Sequence, residues 1–230
     1  MKQIINYQPH SKIMTLLKHS KLYFVLFICF VAFGCDSNNS VVSTSSSPPA
    51  VKKAGAIPAV QAGEEIAVIE MEEKTYGTVK IQLFSDVAPK HVENFKKLIN
   101  EGFYNGLAFH RVIPDLIIQG GDPTTKGDDR AKWGMGLPDQ PKVKAEFNDR
   151  PFIRGTLGAA RAQEPNSASS QFFICVRPNP QWDGEYTNFG QVIEGLNNAQ
   201  IMSNAPSDAK QVVNDKIIIK RMYLEKYKGK

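Results

Sequence analysis

Two segments of the 230-residue chain hold side chains that can polarise or bind a ligand. Residues 109–123 place Arg111 and Gln119 among apolar neighbours, and residues 155–174 end on a run of large apolar side chains that includes Phe173. A guanidinium stays protonated at physiological pH, so Arg111 can offer hydrogen-bond donors and positive charge without titrating. On an apolar strand its direction would be fixed, which is what electrostatic stabilisation of a polar transition state requires.

Each of these residues also has an ordinary structural interpretation. An isolated arginine on a strand is more often a surface ion-pair partner, and Gln119 could serve only to satisfy the backbone of a turn. His110 is favoured as a structural residue over a general acid. Gly120-Gly121 resembles the start of a phosphate loop, but no Gly-Lys-Ser or Gly-Lys-Thr follows it. Cys175, inside an apolar run, is interpreted as a small core residue and not as a nucleophile.

The elements that would position these side chains are predicted to be mainly strands. Short alternating or apolar runs are separated by Gly, Pro, Asp and Asn, which is typical of β-structure with tight turns. Residues 65–71 and 78–84 flank Tyr76-Gly77 and predict a hairpin. Further strands are predicted at 107–113, 116–120, 156–161, 171–176, 188–193 and 213–226. This pattern favours a closed antiparallel β-barrel of about eight strands.

Two peripheral helices complete the predicted fold. The first begins near Pro89, with Asp86 as a candidate cap and with Val92, Phe95 and Ile99 on one face. Gly102 is expected to end this helix in a left-handed conformation. The second helix is predicted at 196–203.

The net charge of +5 is concentrated at the N-terminus. Residues 1–35 contain no acidic side chain and four lysines, so they carry +4, and the rest of the chain carries about +1. These lysines are Lys2, Lys12, Lys18 and Lys21. A nearly neutral folded part without a basic cluster argues against nucleic-acid binding.

The basic stretch leads into an export signal. The uncharged run at 22–34 is 13 residues long, too short to span a bilayer, which needs about 20 helical residues. Gly34-Cys35 closes it, and this junction resembles the lipobox of bacterial lipoproteins, in which the cysteine is acylated. The alternative is a chance cysteine beside an ordinary signal or anchor. Translation from Met14 instead of Met1 would give the basic region a more usual length.

Three regions follow from this interpretation. Residues 1–34 are predicted to be a lipoprotein signal peptide, and 35–63 a lipidated Cys35 followed by a flexible Ser-, Pro- and Ala-rich tether. Residues 64–228 are predicted to form the folded domain. The expected location is the bacterial cell envelope, on a membrane facing the periplasm or at the outer surface, held by the lipid anchor.

The motifs of the folded domain resemble those of the cyclophilins, which are peptidyl-prolyl cis–trans isomerases. The stem Phe-His-Arg-Val-Ile-Pro at 109–114, Gln-Gly-Gly-Asp at 119–122 and Ser-Gln-Phe-Phe-Ile at 170–174 match in register. Asp183-Gly184 and Asn188-Phe189-Gly190 resemble the family's next block. The resemblance covers residues 64–228 and implies a cyclophilin-like barrel.

The resemblance also implies a function and a set of site residues. The implied reaction is rotation of X–Pro bonds without a covalent intermediate, metal or cofactor, with Arg111 and Gln119 as catalytic residues. The implied substrate-binding residues are Leu116, Ile117, Ala160, Arg161, Gln171, Phe173, Trp182 and Tyr186. Proline-containing unfolded or extended polypeptides are the expected partners of a monomeric enzyme that assists exported proteins in folding. The competing hypothesis is a proline-peptide binding module or chaperone with weak or no turnover.

Departures from the family pattern predict weak binding of cyclosporin-type inhibitors. Leu116 stands where the family usually has Phe, and Ile117 replaces the usual Met. Trp182 occupies a position that is usually Leu, Gln181 one that is often Trp or His, and Tyr186 one where His is common. The reshaped pocket should bind the inhibitor poorly, and an inhibition constant in the micromolar range or tighter would contradict this expectation.

Overall fold

The computed structural model describes residues 55–229 of the chain. Its strands are β1 (Glu65–Met71), β2 (Thr78–Leu83), β3 (Ala108–Ile113), β4 (Ile117–Gly120), β5 (Thr156–Ala159), β6 (Phe172–Cys175), β7 (Asn188–Glu194) and β8 (Val212–Lys226). Its α-helices are α1 (Pro89–Asn100) and α2 (Leu196–Ser203). The predicted signal peptide, Cys35 and the predicted tether as far as residue 54 lie outside the described residues.

The eight strands close into one antiparallel barrel. Their order around it is β1-β2-β7-β5-β6-β4-β3-β8, and β8 pairs back onto β1. Closure leaves no strand edge of the barrel unpaired, which removes the usual route to edge-to-edge aggregation. The predicted antiparallel barrel with two helices is confirmed.

Strand register decides which side chains fill the barrel. Directly paired residues on neighbouring strands point to the same face of the sheet, and successive residues alternate between faces. Val112 pairs with Ile118, and Ile118 pairs with Ile174; all three are fully buried in the main core. The intervening row, which includes Arg111 and Gln119, therefore lies on the outer face of the barrel.

Helix α1 packs on the barrel through the predicted apolar face. Val92, Phe95 and Ile99 are buried, and the Phe95 ring lies 5.4 Å, centroid to centroid, from the rings of Phe172 and Phe189. Such edge-on aromatic contacts add specific geometry to the apolar burial.

The start of α1 differs from the prediction, whereas its end agrees. Asp86 does not cap the helix, because its carboxylate pairs with Arg150. The Glu146 carboxylate, which is distant in sequence, caps the helix instead. It accepts hydrogen bonds from the backbone N–H groups of Lys90 at 3.1 Å and His91 at 2.9 Å, which have no partner within the helix. Gly102 follows the helix with a φ of +67°, as predicted.

Residues 55–63, which the sequence places in the tether, contact the barrel domain by backbone hydrogen bonds. The Gly55 N–H donates to the carbonyl of Asp149 at 2.6 Å, and the Gly63 N–H donates to that of Tyr227 at 2.8 Å. Within residues 55–229, no helix combines the length and apolar character that a membrane crossing requires.

Candidate active site

A row of paired residues crosses the outer face of the barrel. Arg111 on β3 is directly opposite Gln119 on β4, which is opposite Phe173 on β6, which is opposite Gly158 on β5. Because opposite residues share a face, the sheet presents a cation, an amide and an aromatic ring side by side. A register slip of one residue would turn all of them toward the core.

The Arg111 guanidinium is held by side-chain amides. Its Nη1 donates to Gln119 Oε1 at 3.1 Å, and its Nε and Nη2 donate to Gln211 Oε1 at 3.0 and 2.6 Å. The Gln119 Nε2 donates to Gln171 Oε1 at 3.0 Å, and the Gln171 Nε2 donates to the carbonyl of Gly134 at 3.0 Å. This chain of amides fixes the direction of the guanidinium and the rotamers of both predicted glutamines.

The charge of Arg111 has no counter-ion in the described part of the chain. The ion pairs formed by residues 55–229 involve other side chains, and the acceptors around Arg111 are neutral amides. Partial burial lowers the pKa of Arg111, but a guanidinium remains protonated in proteins. The site therefore keeps a full positive charge in partly desolvated surroundings.

His110, the neighbour of Arg111, is buried and neutral. Desolvation lowers the pKa of its imidazole to about 4, against the ordinary value of 6.5. The ring contributes no charge at pH 7, which supports the structural interpretation over a general acid.

An aromatic pocket opens beside Arg111. It has a volume of about 120 Å³ and is lined by Arg111, Ile117, Gln119, Ala160, Arg161, Phe173, Trp182 and Tyr186. The Phe173 ring centroid lies 5.1 Å from that of Trp182 and 5.7 Å from that of Tyr186. The volume is small against the ~300–1,000 Å³ typical of drug-sized ligand sites, so the pocket suits a single side chain.

A second apolar cluster supports the floor of the aromatic pocket. Ile117, Phe152, Phe173 and Cys175 are buried together outside the barrel core. Leu116, predicted to line the pocket, is half-buried and packs against this cluster without forming part of the lining. Burial raises the pKa of the Cys175 thiol to about 12, so Cys175 is a packing residue as predicted.

The rim of the pocket is formed by the segment after β5. The Arg161 guanidinium donates to the carbonyls of Ala162, Gln163 and Glu185 and lies 4.6 Å from the centroid of the Tyr186 ring. Among the described residues, the backbone N–H and C=O of Arg161 have no partner. The segment can therefore pair with an extended peptide, in the way a sheet edge adds a strand.

A side cavity adjoins the aromatic pocket across Gln119, Ala160 and Arg161. It has a volume of about 190 Å³, and the predicted residue Gln171 lies here. Its remaining walls come mainly from two loops, at 134–142 and 162–169. The two cavities share these three lining residues, and together they are called the groove.

Gly158 sets the position of the Phe173 ring. A Cβ atom at residue 158 would lie 2.3 Å from a ring carbon of Phe173, closer than real contacts allow. The absence of a side chain lets the ring lie directly against the β5 backbone, where it forms a wall of the aromatic pocket.

The structure brings together nine of the ten predicted site residues of the folded domain in these two cavities, with Leu116 behind them. Sequence reasoning missed Gln211, Phe152 and the turn at Gly134. Gln211 lies 100 residues from Arg111 in a loop without a recognisable motif, so no local signal points to it. Phe152 follows Pro151 in an isolated short apolar stretch, and only its later contacts reveal its role.

A protein-family model matches most of the folded part. The family model described as "Cyclophilin type peptidyl-prolyl cis-trans isomerase/CLD" matches residues 68–224. A Brucella suis protein named "Probable peptidyl-prolyl cis-trans isomerase" is 50% identical over 124 residues, which are 52% of this chain and 63% of that protein. The chain thus spans less than two thirds of the length of this relative.

Two further relatives match more of their own length. A Synechococcus elongatus peptidyl-prolyl cis–trans isomerase is 46% identical over 125 residues, or 54% of this chain and 78% of that protein. A cyclophilin-type isomerase from Cryptosporidium parvum, whose crystal structure was determined in the presence of the dipeptide Ala-Pro, is 34% identical with a TM-score of 0.62. That match covers 70% of this chain and 99% of the solved one.

Substitution of Gly158 tests the packing of the pocket wall. Gly158→Ala should displace the Phe173 ring and lower the free energy of unfolding by about 1–3 kcal/mol, the usual cost of overpacking. Urea denaturation measures the loss. Gly127→Ala is the matched control, because a Cβ there would make an ordinary 3.6 Å contact. Equal unfolding midpoints for the two variants would contradict the assigned contact.

Proposed function

The chain belongs to the cyclophilin-type peptidyl-prolyl cis–trans isomerase family, and from that membership we propose that it catalyses rotation about X–Pro peptide bonds in extended or unfolded polypeptides. The single observation that carries the proposal is the placement of the Arg111 guanidinium at the wall of a small aromatic pocket, without a counter-ion among residues 55–229. The Ala-Pro dipeptide present with the Cryptosporidium parvum relative supports a proline-containing ligand for this groove.

The chemistry of the reaction explains why a fixed cation suffices. Rotation of an X–Pro bond breaks amide conjugation across a barrier of about 18–20 kcal/mol and takes tens to hundreds of seconds without a catalyst. In the twisted state the proline nitrogen becomes pyramidal and more basic. Arg111 stabilises that nitrogen by donating a hydrogen bond and positive charge, with no proton transferred and no covalent bond formed.

The remaining residues bind and orient the peptide. The proline ring enters the aromatic pocket against Phe173, and the preceding residues pair with the free backbone of Arg161. Gln119 orients Arg111 through the 3.1 Å hydrogen bond and is near enough to the pocket to contact a substrate carbonyl. Gln171 holds Gln119 and lines the side cavity, where residues flanking the proline lie.

The same proposal places the enzyme at the bacterial cell envelope, where it assists the folding of exported proteins. The support comes from the sequence: a basic stretch, an uncharged run at 22–34, Cys35 in a lipobox-like setting and a polar tether. Acylation of Cys35 would attach the protein to the membrane, and two or more acyl chains would make the attachment stable. The folded domain would act as a monomer.

Loss of the guanidinium should abolish most of the turnover. Arg111→Ala is expected to lower kcat/KM for a proline-containing tetrapeptide about 100-fold, because one preorganised donor is removed, while peptide affinity changes little. The kcat/KM of Arg111→Lys should lie between those of wild type and Arg111→Ala, because lysine keeps the positive charge but lacks the planar set of guanidinium donors. A coupled isomerisation assay on the full chain in detergent measures the rates, and titration followed by NMR measures binding.

Arg177→Ala is the control for these variants, because Arg177 is exposed and lines neither cavity. Equal rates for wild type and Arg111→Ala would refute the assignment of Arg111. A wild type that binds the peptide without turnover would instead favour the binding-module hypothesis.

The lipid anchor has a separate test. Cys35→Ser should move the protein from the membrane fraction to the soluble fraction or stop removal of the signal peptide, because the substitution removes the residue to which the acyl chains would be attached. Fractionation of cells and mass spectrometry of the mature N-terminus provide the measurement. A processed product that stays on the membrane after this substitution would contradict lipidation at Cys35.

A further inference from the structure

Gln211 makes the largest contribution to holding Arg111. It lies in the loop between α2 and β8, and its Oε1 accepts from both Nε and Nη2 of the guanidinium, at 3.0 and 2.6 Å. With the bond from Nη1 to Gln119, three of the five N–H donors of Arg111 are used. The other two have no partner among the described residues and remain available to a substrate.

The backbone of Gln211 is held in an unfavourable conformation. Its φ is +69°, in the left-handed region that favours glycine, and Asp115 is the only other non-glycine residue of the described chain with positive φ. A residue with a side chain is strained here relative to glycine. Such strain persists where surrounding contacts impose it, and it is concentrated at functional sites.

The contacts that impose this conformation tie Gln211 to the strand that carries Arg111. The Gln211 N–H donates to the carbonyl of Asp208 at 2.8 Å, and the Gln211 carbonyl accepts from the N–H of Val112 at 2.9 Å. The bond to Val112 attaches the loop to β3, and the side chain of Gln211 reaches the guanidinium of the adjacent residue, Arg111.

The neutrality of the acceptor matters as much as its position. A carboxylate could accept the same two hydrogen bonds, but its negative charge would compensate the positive charge that the proposed reaction requires. The one carboxylate of this loop, that of Asp208, accepts from the N–H groups of Lys210 and Val212 and pairs with Arg130. The loop thus offers Arg111 an amide and directs its carboxylate elsewhere.

We propose that Gln211 is a positioning residue for Arg111. Its neutral amide oxygen accepts from both Nε and Nη2 of the guanidinium, so that the remaining donors face the aromatic pocket with the positive charge intact. Its catalytic part rests on the proposed isomerase function. Its structural part, the immobilisation of Arg111, can be tested separately.

The first measurement follows the Arg111 Nε–H resonance by ¹⁵N NMR in the full chain in detergent. In wild type and in Gln211→Glu the Arg111 Nε–H should exchange slowly, because Gln and Glu side chains are equally long and both carry an acceptor oxygen at their end. Gln211→Gly should lose that signal while the chain stays folded, since glycine suits the positive φ. Lys210→Ala, an exposed change in the same loop, should match wild type. An unchanged Arg111 signal in Gln211→Gly would overturn the proposal.

The second measurement separates kcat from KM by exchange spectroscopy on a proline-containing tetrapeptide. Gln211→Gly should lower kcat about tenfold with KM within roughly twofold, because misplacement of a catalytic group acts on the transition state. Gln211→Glu should keep Arg111 in place and still lower kcat several-fold, because its carboxylate compensates the charge. Wild-type kcat in a folded Gln211→Gly overturns the positioning role, and wild-type kcat in Gln211→Glu overturns the need for a neutral acceptor.

These outcomes are distinguishable from failure of the proposed function. If the wild type shows no turnover, the function fails, and the Nε–H signal alone decides whether Gln211 immobilises Arg111. If the wild type is active and neither variant differs from it in signal or kcat, the positioning proposal fails and the isomerase function stands.

Discussion

A single positive charge, half-buried and without a counter-ion among the described residues, is the constraint on which the site depends. Removing a charge from water is costly unless hydrogen bonds replace the lost hydration. For Arg111 that replacement comes from Gln119 and Gln211, whose amides solvate the guanidinium without neutralising it. An ion pair would be simpler to build, but it would compensate the charge that the proposed mechanism directs at the twisted peptide.

The barrel supplies the rigidity that this arrangement needs. Arg111, Gln119 and Phe173 belong to three adjacent strands and lie in one row of the sheet, so backbone pairing sets their spacing. The same pairing places Val112 and Ile118 in the core, and burial of these side chains fixes the register. The same strand pairs therefore determine both the packing of the core and the geometry of the site.

The sequence predicted the parts of this structure that have local signals. Strand and helix positions follow from apolar periodicity and turn residues, and Arg111 and Gln119 follow from motifs that are contiguous in the chain. Contacts made between distant segments were not predictable. Glu146 caps α1 in place of Asp86, and Gln211 reaches Arg111 across 100 residues, because in both cases only the closed barrel brings the partners together.

The proposed catalysis does not depend on proton transfer, since Arg111 does not titrate and burial lowers the pKa of His110 to about 4. The most direct test is the pH profile of kcat/KM for a proline-containing peptide between about pH 6 and 8.5, where unperturbed histidines titrate. A fixed guanidinium predicts a flat profile across this range. A bell-shaped or sigmoidal profile with an apparent pKa between about 6 and 8 would reveal an essential acid or base and contradict the account.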